Sequence, residues 1–202
     1  MSRGPQSKRF EELLRRRGTS AEGRPEVEQQ IFDEFIDHCA VMILDSSGFT
    51  RLTKSHGIIH FLSLVVSMRD LVEPLCDAHG AISHWAEADN VYAIFETAGD
   101  ALRCAMEIQT VVPAANDSRS EAERLPVCIG LGAGRMLRIG GENVYGDEMN
   151  LASKLGEDIA APDEILLTPT VLAEVGDEAP EVQRLEQRIS GVDIVYYRVV
   201  VP

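Results

Sequence analysis

The 202-residue chain carries 19 Lys and Arg against 33 Asp and Glu, a formal net charge of −14. That balance excludes a general nucleic-acid binder, which needs a basic surface, but not a nucleotide whose charge a metal and a few local cations offset. Hydrophobic residues at 45% and charged residues at 26% describe a globular domain with an appendage and no apolar stretch of membrane-span length. The N-terminus lacks a secretory apolar core, so a cytoplasmic protein is expected. Cys39, Cys76, Cys104 and Cys128 are scattered without a Cys-x-x-Cys pair, and buried free thiols are expected.

Residues 1–24 read as a basic arm, with Lys8 to Arg17 a short helical run suited to solvent or to docking. Pro25 opens a helix running through Ile31, Phe35 and Ile36. Ala40 to Leu44 reads as a buried strand. Residues 54–78 carry helical apolar spacing through Ile58, Phe61, Val65, Met68, Val72 and Leu75, with Gly80 as the stop. Ala81 to Trp85 and Val91 to Phe95 read as strands joined by a turn containing Asp89-Asn90. Gly99 to Val111 predicts a second helix, and Pro113 to Leu125 a polar loop. Val127 to Ala133 predicts a strand, with Arg135 to Ile139 a shorter one after it. Glu148 to Ile159 reads as a third core helix, Glu164 to Leu167 as a strand and Thr168 to Val175 as a short helix. Ile194 to Val200 is a terminal strand dense in β-branched and aromatic residues. The order strand, helix, two strands, helix, strand begins a split βαβ pattern. It predicts an α/β (α+β) fold, a ferredoxin-like antiparallel sheet with helices.

The chemistry-bearing run is Asp45-Ser46-Ser47-Gly48-Phe49-Thr50, directly after the apolar strand. A second carboxylate, Asp89, sits in a similar strand-to-turn setting. Two acidic strand ends, one feeding a glycine turn, suit a hard divalent cation held against a phosphate chain. Amides around Gly48 to Thr50 can cradle phosphates, because glycine lets the backbone approach closely. Taken alone, Asp before Ser-Ser-Gly is more often a plain Asx turn. Asn150 and Lys154 lie four apart and share a helix face, as solvent-facing pairs also do. His56 and His60 are four apart as well, but no third zinc ligand accompanies them.

With these residues in view, Ala40 to Val200 resembles the class III adenylate/guanylate cyclase catalytic domain of bacterial type. The matches are Asp-x-x-Gly-Phe-Thr at Asp45, Gly48, Phe49 and Thr50, the hairpin-turn Asp89, and the later signature from Gly146 to Leu155. The resemblance implies a nucleotidyl cyclase-like catalytic domain over 25–202. It would turn a nucleoside triphosphate, ATP by default, into the 3′,5′-cyclic nucleotide and pyrophosphate. It makes Asp45 and Asp89, with the Ser46 carbonyl, ligands of two Mg²⁺ or Mn²⁺ ions. Gly48, Phe49 and Thr50 would bind substrate. Asn150 would orient the ribose, and Lys154, where the family most often has Arg, would steady the α-phosphate. Arg138 falls near the family's phosphate-contacting Arg, with Arg135 its competitor. The active sites would be shared across a homodimer, metal ligands from one copy and Asn150 with Lys154 from the other.

Three further positions depart from the family. Its base-reading Lys is Trp85 here and that residue's partner is Asn143, so GTP and pyrimidine triphosphates stay open as substrates. Trp85 suits base stacking and sheet packing alike. A family Lys that binds triphosphate is replaced by Ser190. A weakly active or silent nucleotide-binding regulatory module is the competing reading.

Overall fold

The computed structural model describes residues 4–19, 23–189 and 191–200, so Ser190 lies outside the described residues. The chain runs α1 (Pro5–Thr19), α2 (Arg24–Phe35), β1 (Ile36–Ser46), α3 (Phe49–His56), α4 (Ile58–Ala78), β2 (Ser83–Glu87), β3 (Asn90–Phe95) and α5 (Ala98–Asp117). It continues through β4 (Val127–Ile139), β5 (Asn143–Tyr145), α6 (Asp147–Ser153), a π-helical turn at Lys154–Ile159, β6 (Ile165–Leu167), α7 (Pro169–Val175), β7 (Val182–Ile189) and β8 (Val192–Val199). The strands form one sheet in the order β2-β3-β1-β4-β6-β8-β7, with β5 on the end of β4. Only β4 and β6 run parallel. The expected antiparallel α+β sheet with helices is present.

Alternation along the central strands separates two apolar surfaces. Met42 and Leu44 of β1, with Phe95, Ile129 and Leu131, face the main core under α4, α5 and α7. Val41 and Ile43 face the opposite side, where Ile94, Met136 and Ala152 make a smaller cluster under α6. The Asp45 motif is therefore the C-terminal end of a strand gripped on both faces.

β1 is longer than its apolar run predicts, because all its residues from Ile36 to Ser46 are in register with β4. Backbone pairing carries the strand past the polar Asp37 and His38, and ends α2 one residue before the expected Ile36. The helix expected over 54–78 is two helices, broken where Gly57 takes φ 87°. α5 runs through Pro113 to Asp117, where a loop is expected. The buried Asn116 anchors that last turn: its Nδ2 donates to the Leu125 carbonyl and its Oδ1 accepts from the Leu125 amide, each at 3.1 Å. The two strands read at Val127–Ala133 and Arg135–Ile139 are one, β4, while β5 and β7 are additions. The basic arm is docked rather than free. Leu13 of α1 is fully buried with Val27, Phe35 and Ile139, and Phe10 meets Phe35 edge-on at 5.2 Å. The cysteines are free and buried, as expected.

α6 lies directly on the β4 backbone, and glycine is what permits it. A Cβ on Gly130 would collide with the Ala152 carbonyl and stand 2.5 Å from the Gly156 amide. Glu148 fixes the contact from its other end, accepting from Thr168 Oγ1 at 2.7 Å and Thr170 Oγ1 at 2.8 Å. The helix carrying Asn150 is thus pinned to the strand paired with the one carrying Asp45.

Candidate active site

Asp45, Ser46, Gly48, Phe49, Thr50 and Asp89 line one cleft of about 730 Å³, within the range of small-molecule sites. Ser47, Arg51, Ala88, Cys128, Glu157 and Ala160 complete it. Asp45 arrives on the end of β1. After it the chain turns at Gly48, whose φ of 111° is a left-handed conformation that favours glycine, and enters α3. The exposed Phe49 is steadied edge-on against the buried Phe61 at 5.0 Å.

Asp89 sits in the two-residue turn of the β2–β3 hairpin. Ser46 Oγ donates to Asp89 Oδ2 at 2.7 Å, so the buried Ser46 links the two strand ends through its hydroxyl. Ala88 in that turn has φ 52°, a conformation costing a non-glycine residue about 1 kcal/mol. An Arg69 guanidinium nitrogen on α4 donates to the Ala88 carbonyl and holds the turn down. Removing that hold should let Asp89 drift: Arg69→Ala is expected to weaken Mn²⁺ binding about tenfold, as losses of supporting contacts at metal sites do. Calorimetric titration with Mn²⁺ checks this, and unchanged affinity would remove Arg69 from the site.

Neither Asp45 nor Asp89 has an ion-pair partner among the described residues. Burial, then the charges of Asp89 and Glu157, push the Asp45 carboxyl up to about 7. Burial likewise raises the Glu157 carboxyl, which accepts from Asn90 Nδ2 at 3.2 Å and from the Tyr92 hydroxyl at 3.3 Å. Arg51 is the one cationic side chain that lines the cleft, and it forms no ion pair with these carboxylates among the described residues. The cleft's donors are all oxygen, and no group of three His, Cys, Asp or Glu side chains converges to hold a metal among the described residues. Two carboxylates with the remaining positions left to phosphate and water suit Mg²⁺ or Mn²⁺. Cys128 supplies no nucleophile here, since burial and Asp45 push its thiol up to about 12.

The other candidate residues lie elsewhere in the chain. Asn150 is exposed on α6, and Lys154 begins the π-helical turn paired with Asp158 at 2.9 Å. Neither lines the cleft of its own chain. π-Turns recur at functional positions, and this one also carries Glu157. Trp85 stacks on Tyr92 with ring centroids 5.1 Å apart, on the α6 side of the sheet. Arg138 is bound to Asp37, its Nε donating at 3.2 Å, whereas Arg135 lies over the Phe32 ring. Asn143 is on β5, at a hollow lined by Phe10 and Leu14 of the arm. His60 is bound to the Ala122 carbonyl at 2.7 Å, and Gly57 breaks the helix between it and His56. Sequence reading missed Arg51, Arg69 and Glu157. Arg51 alone had a signal, its place one residue after the Gly48-Phe49-Thr50 run.

The sheet order, the Gly48 turn and the paired strand-end carboxylates define the class. The chain has the fold of the class III adenylate/guanylate cyclase catalytic domain, and the resemblance read from its motifs is borne out. The adenylate/guanylate cyclase/hydrolase from Silicibacter pomeroyi superposes with a TM-score of 0.72 at 25% identity, over 83% of this chain and 98% of that one. The guanylyl cyclase Cya2 gives 0.70 at 19% identity, over 81% and 92%. In sequence, putative adenylate cyclase 3 of Rhizobium meliloti (strain 1021) is 25% identical over 123 residues, 61% of this chain. The chain spans 21% of that relative's length. No family model matches the chain. No described helix is long and apolar enough to cross a membrane.

Proposed function

We propose that this chain is a nucleotidyl cyclase that converts a nucleoside triphosphate, ATP first among them, into the 3′,5′-cyclic nucleotide and pyrophosphate at a site shared by two copies of the chain. The observation that supports this is the pair of carboxylates, Asp45 and Asp89, without an ion-pair partner among the described residues and set beside the Gly48 turn on a cyclase fold. Asp45, Asp89 and Ser46 would hold two Mg²⁺ or Mn²⁺ ions, whose chemistry is to acidify the ribose 3′-hydroxyl and neutralise phosphate charge.

The reaction is an in-line displacement: the 3′-oxygen bonds to the α-phosphorus and the bond to pyrophosphate breaks. Such chemistry needs positioning and charge complementarity more than covalent help. The first-turn amides of α3, after Gly48, have no carbonyl partner within the helix and face the phosphates. Phe49 and Thr50 wall the cleft on that side. Asn150 orients the ribose and Lys154 meets the α-phosphate from the partner copy, because α6 lies outside the cleft of its own chain. Lys154 leaves Asp158 to do so, and an exposed pair of that kind holds it by less than about 1 kcal/mol. Arg138 has to exchange Asp37 for phosphate in the same way.

The base falls to Trp85 and Asn143. Neither carries a charge, and both can serve a purine or a pyrimidine. We assign catalysis to residues 25–202 and treat residues 1–24 as an arm docked on α2. The test is to incubate the purified protein with Mn²⁺ and each of ATP, GTP, CTP and UTP, and to identify products by mass spectrometry. A cyclic nucleotide from one or more of them is expected. Nucleotide binding without any product would instead favour the silent regulatory module, for which Trp85, Lys154 and Ser190 in place of the family's charged residues are the supporting sequence features.

A further inference from the structure

Arg51 is the cation that the proposed mechanism leaves unused. It lies on α3, three residues beyond Gly48, and the buried Leu52 beside it seats that helix on the core. The guanidinium folds back over the glycine turn. Its Nη2 stands 3.5 Å, and its Nε 3.9 Å, from where a Cβ on Gly48 would be. Arg51 lines the cleft together with Asp45, Asp89 and Glu157, yet it pairs with none of them.

Arg51 is exposed, and like Arg69, Arg124 and Arg135 it meets no carboxylate among the described residues. Arg9, Arg103, Arg138 and Arg198 each find a carboxylate. A guanidinium left without an anion, beside open backbone amides at a helix start, presents a planar fork of donors to whatever occupies the cleft. Phosphate oxygens fit that fork bidentately, as a carboxylate does, and a polyphosphate offers several of them along one chain of linked groups. The carboxylate side of the cleft cannot take those oxygens directly. The Gly48 side can.

We infer that Arg51 is a substrate-binding residue that grips the polyphosphate of the bound nucleotide over the Gly48 turn. The inference rests on the nucleotidyl cyclase reading and adds to it the residue that takes the phosphate charge within the same copy of the chain.

Inorganic tripolyphosphate with Mn²⁺, titrated calorimetrically into the full chain, tests this without requiring turnover. Wild type is expected to bind. Arg51→Ala should bind tripolyphosphate about ten- to a hundredfold more weakly, the scale of one charge-assisted contact, while Mn²⁺ alone binds both proteins equally. Arg51→Lys should recover part of the loss, having the charge without the fork. With nucleotide, Arg51→Ala should raise KM more than it lowers kcat. Equal tripolyphosphate affinity in wild type and Arg51→Ala, with cyclic product still formed, would overturn the role of Arg51 and leave the cyclase reading standing. Failure of wild type to bind tripolyphosphate while still forming product would overturn the role of Arg51 alone, and failure of wild type to form product would overturn both.

Discussion

Asp45→Asn is expected to make the metal-free protein more stable and to abolish cyclic product, two effects of opposite sign from one atom. Asp45 ionises against burial and against the charges of Asp89 and Glu157, which holds its carboxyl near 7 rather than at the ordinary 3.8. The folded state therefore binds a proton between those values that the unfolded chain does not. Stability of the metal-free wild type falls as pH rises from about 4 to about 7, and the whole penalty is present above that. Asp45 keeps contact with solvent, so screening reduces the penalty to the order of 1 kcal/mol. In a chain of this size the Asn variant should melt roughly 2–4 °C higher at pH 8. The difference should close as the pH approaches 4. Thermal melts of both proteins across that range check the sign. Added Mn²⁺ should raise the wild-type melting temperature and leave the variant unmoved, since the variant lacks the charge the ion would neutralise. A variant no more stable than wild type, or equally stabilised by Mn²⁺, would remove Asp45 from the metal site.

Mixing two dead variants should restore activity. Asp89→Ala removes a metal ligand and Asn150→Ala removes the ribose contact, and each homodimer should be inactive on its own. In a random mixture about half the dimers are mixed, and each of these holds one intact site of two, so about a quarter of wild-type turnover is expected. The reason lies in the fold. Gly130 lets α6 press on β4, and Glu148 bonds it to Thr168 and Thr170, so Asn150 cannot swing into the cleft of its own chain without breaking those contacts. Activity assayed after co-refolding or subunit exchange reads the result directly. No recovery, with exchange demonstrated by differently tagged chains, would mean the site is not shared.

Much of this architecture is legible in the sequence because its periodicities are clean. The unbroken apolar run from Val41 to Leu44 marks a buried strand, and the 3.6-residue spacing from Ile58 to Leu75 places α4. What escaped has tertiary causes. Pro113 reads as a helix end, but the Asn116 amide captures both polar groups of Leu125 and draws α5 one turn further. β5 spans only Asn143–Tyr145 and has no alternation to read. The π-helical turn at Lys154–Ile159 includes Gly156, where a Cβ would stand 2.8 Å from the Ile43 carbonyl of β1, a tertiary constraint that leaves no local mark in composition.

The site shows the same division. Asp45, Asp89 and the Gly48 turn announce themselves by chemistry and spacing, and the fold gathers them into one cleft. Arg69 touches the rim of that cleft only through the Ala88 carbonyl, which it reaches from α4, and Glu157 enters it from the wider π-helical turn after Asn150. Ala88 is a third instance. Its left-handed conformation is one that Asp89-Asn90 alone does not predict, and it matters only once Arg69 is seen holding its carbonyl.

The central claim is that the cleft closes a phosphate ring rather than hydrolysing or merely holding a triphosphate. It is tested most directly by counting both products from one reaction. Wild type with Mn²⁺ and its preferred triphosphate should release cyclic nucleotide and pyrophosphate in equal amounts, and Asp89→Ala should release neither. Pyrophosphate or phosphate without cyclic nucleotide, or equal product from Asp89→Ala, would contradict the account.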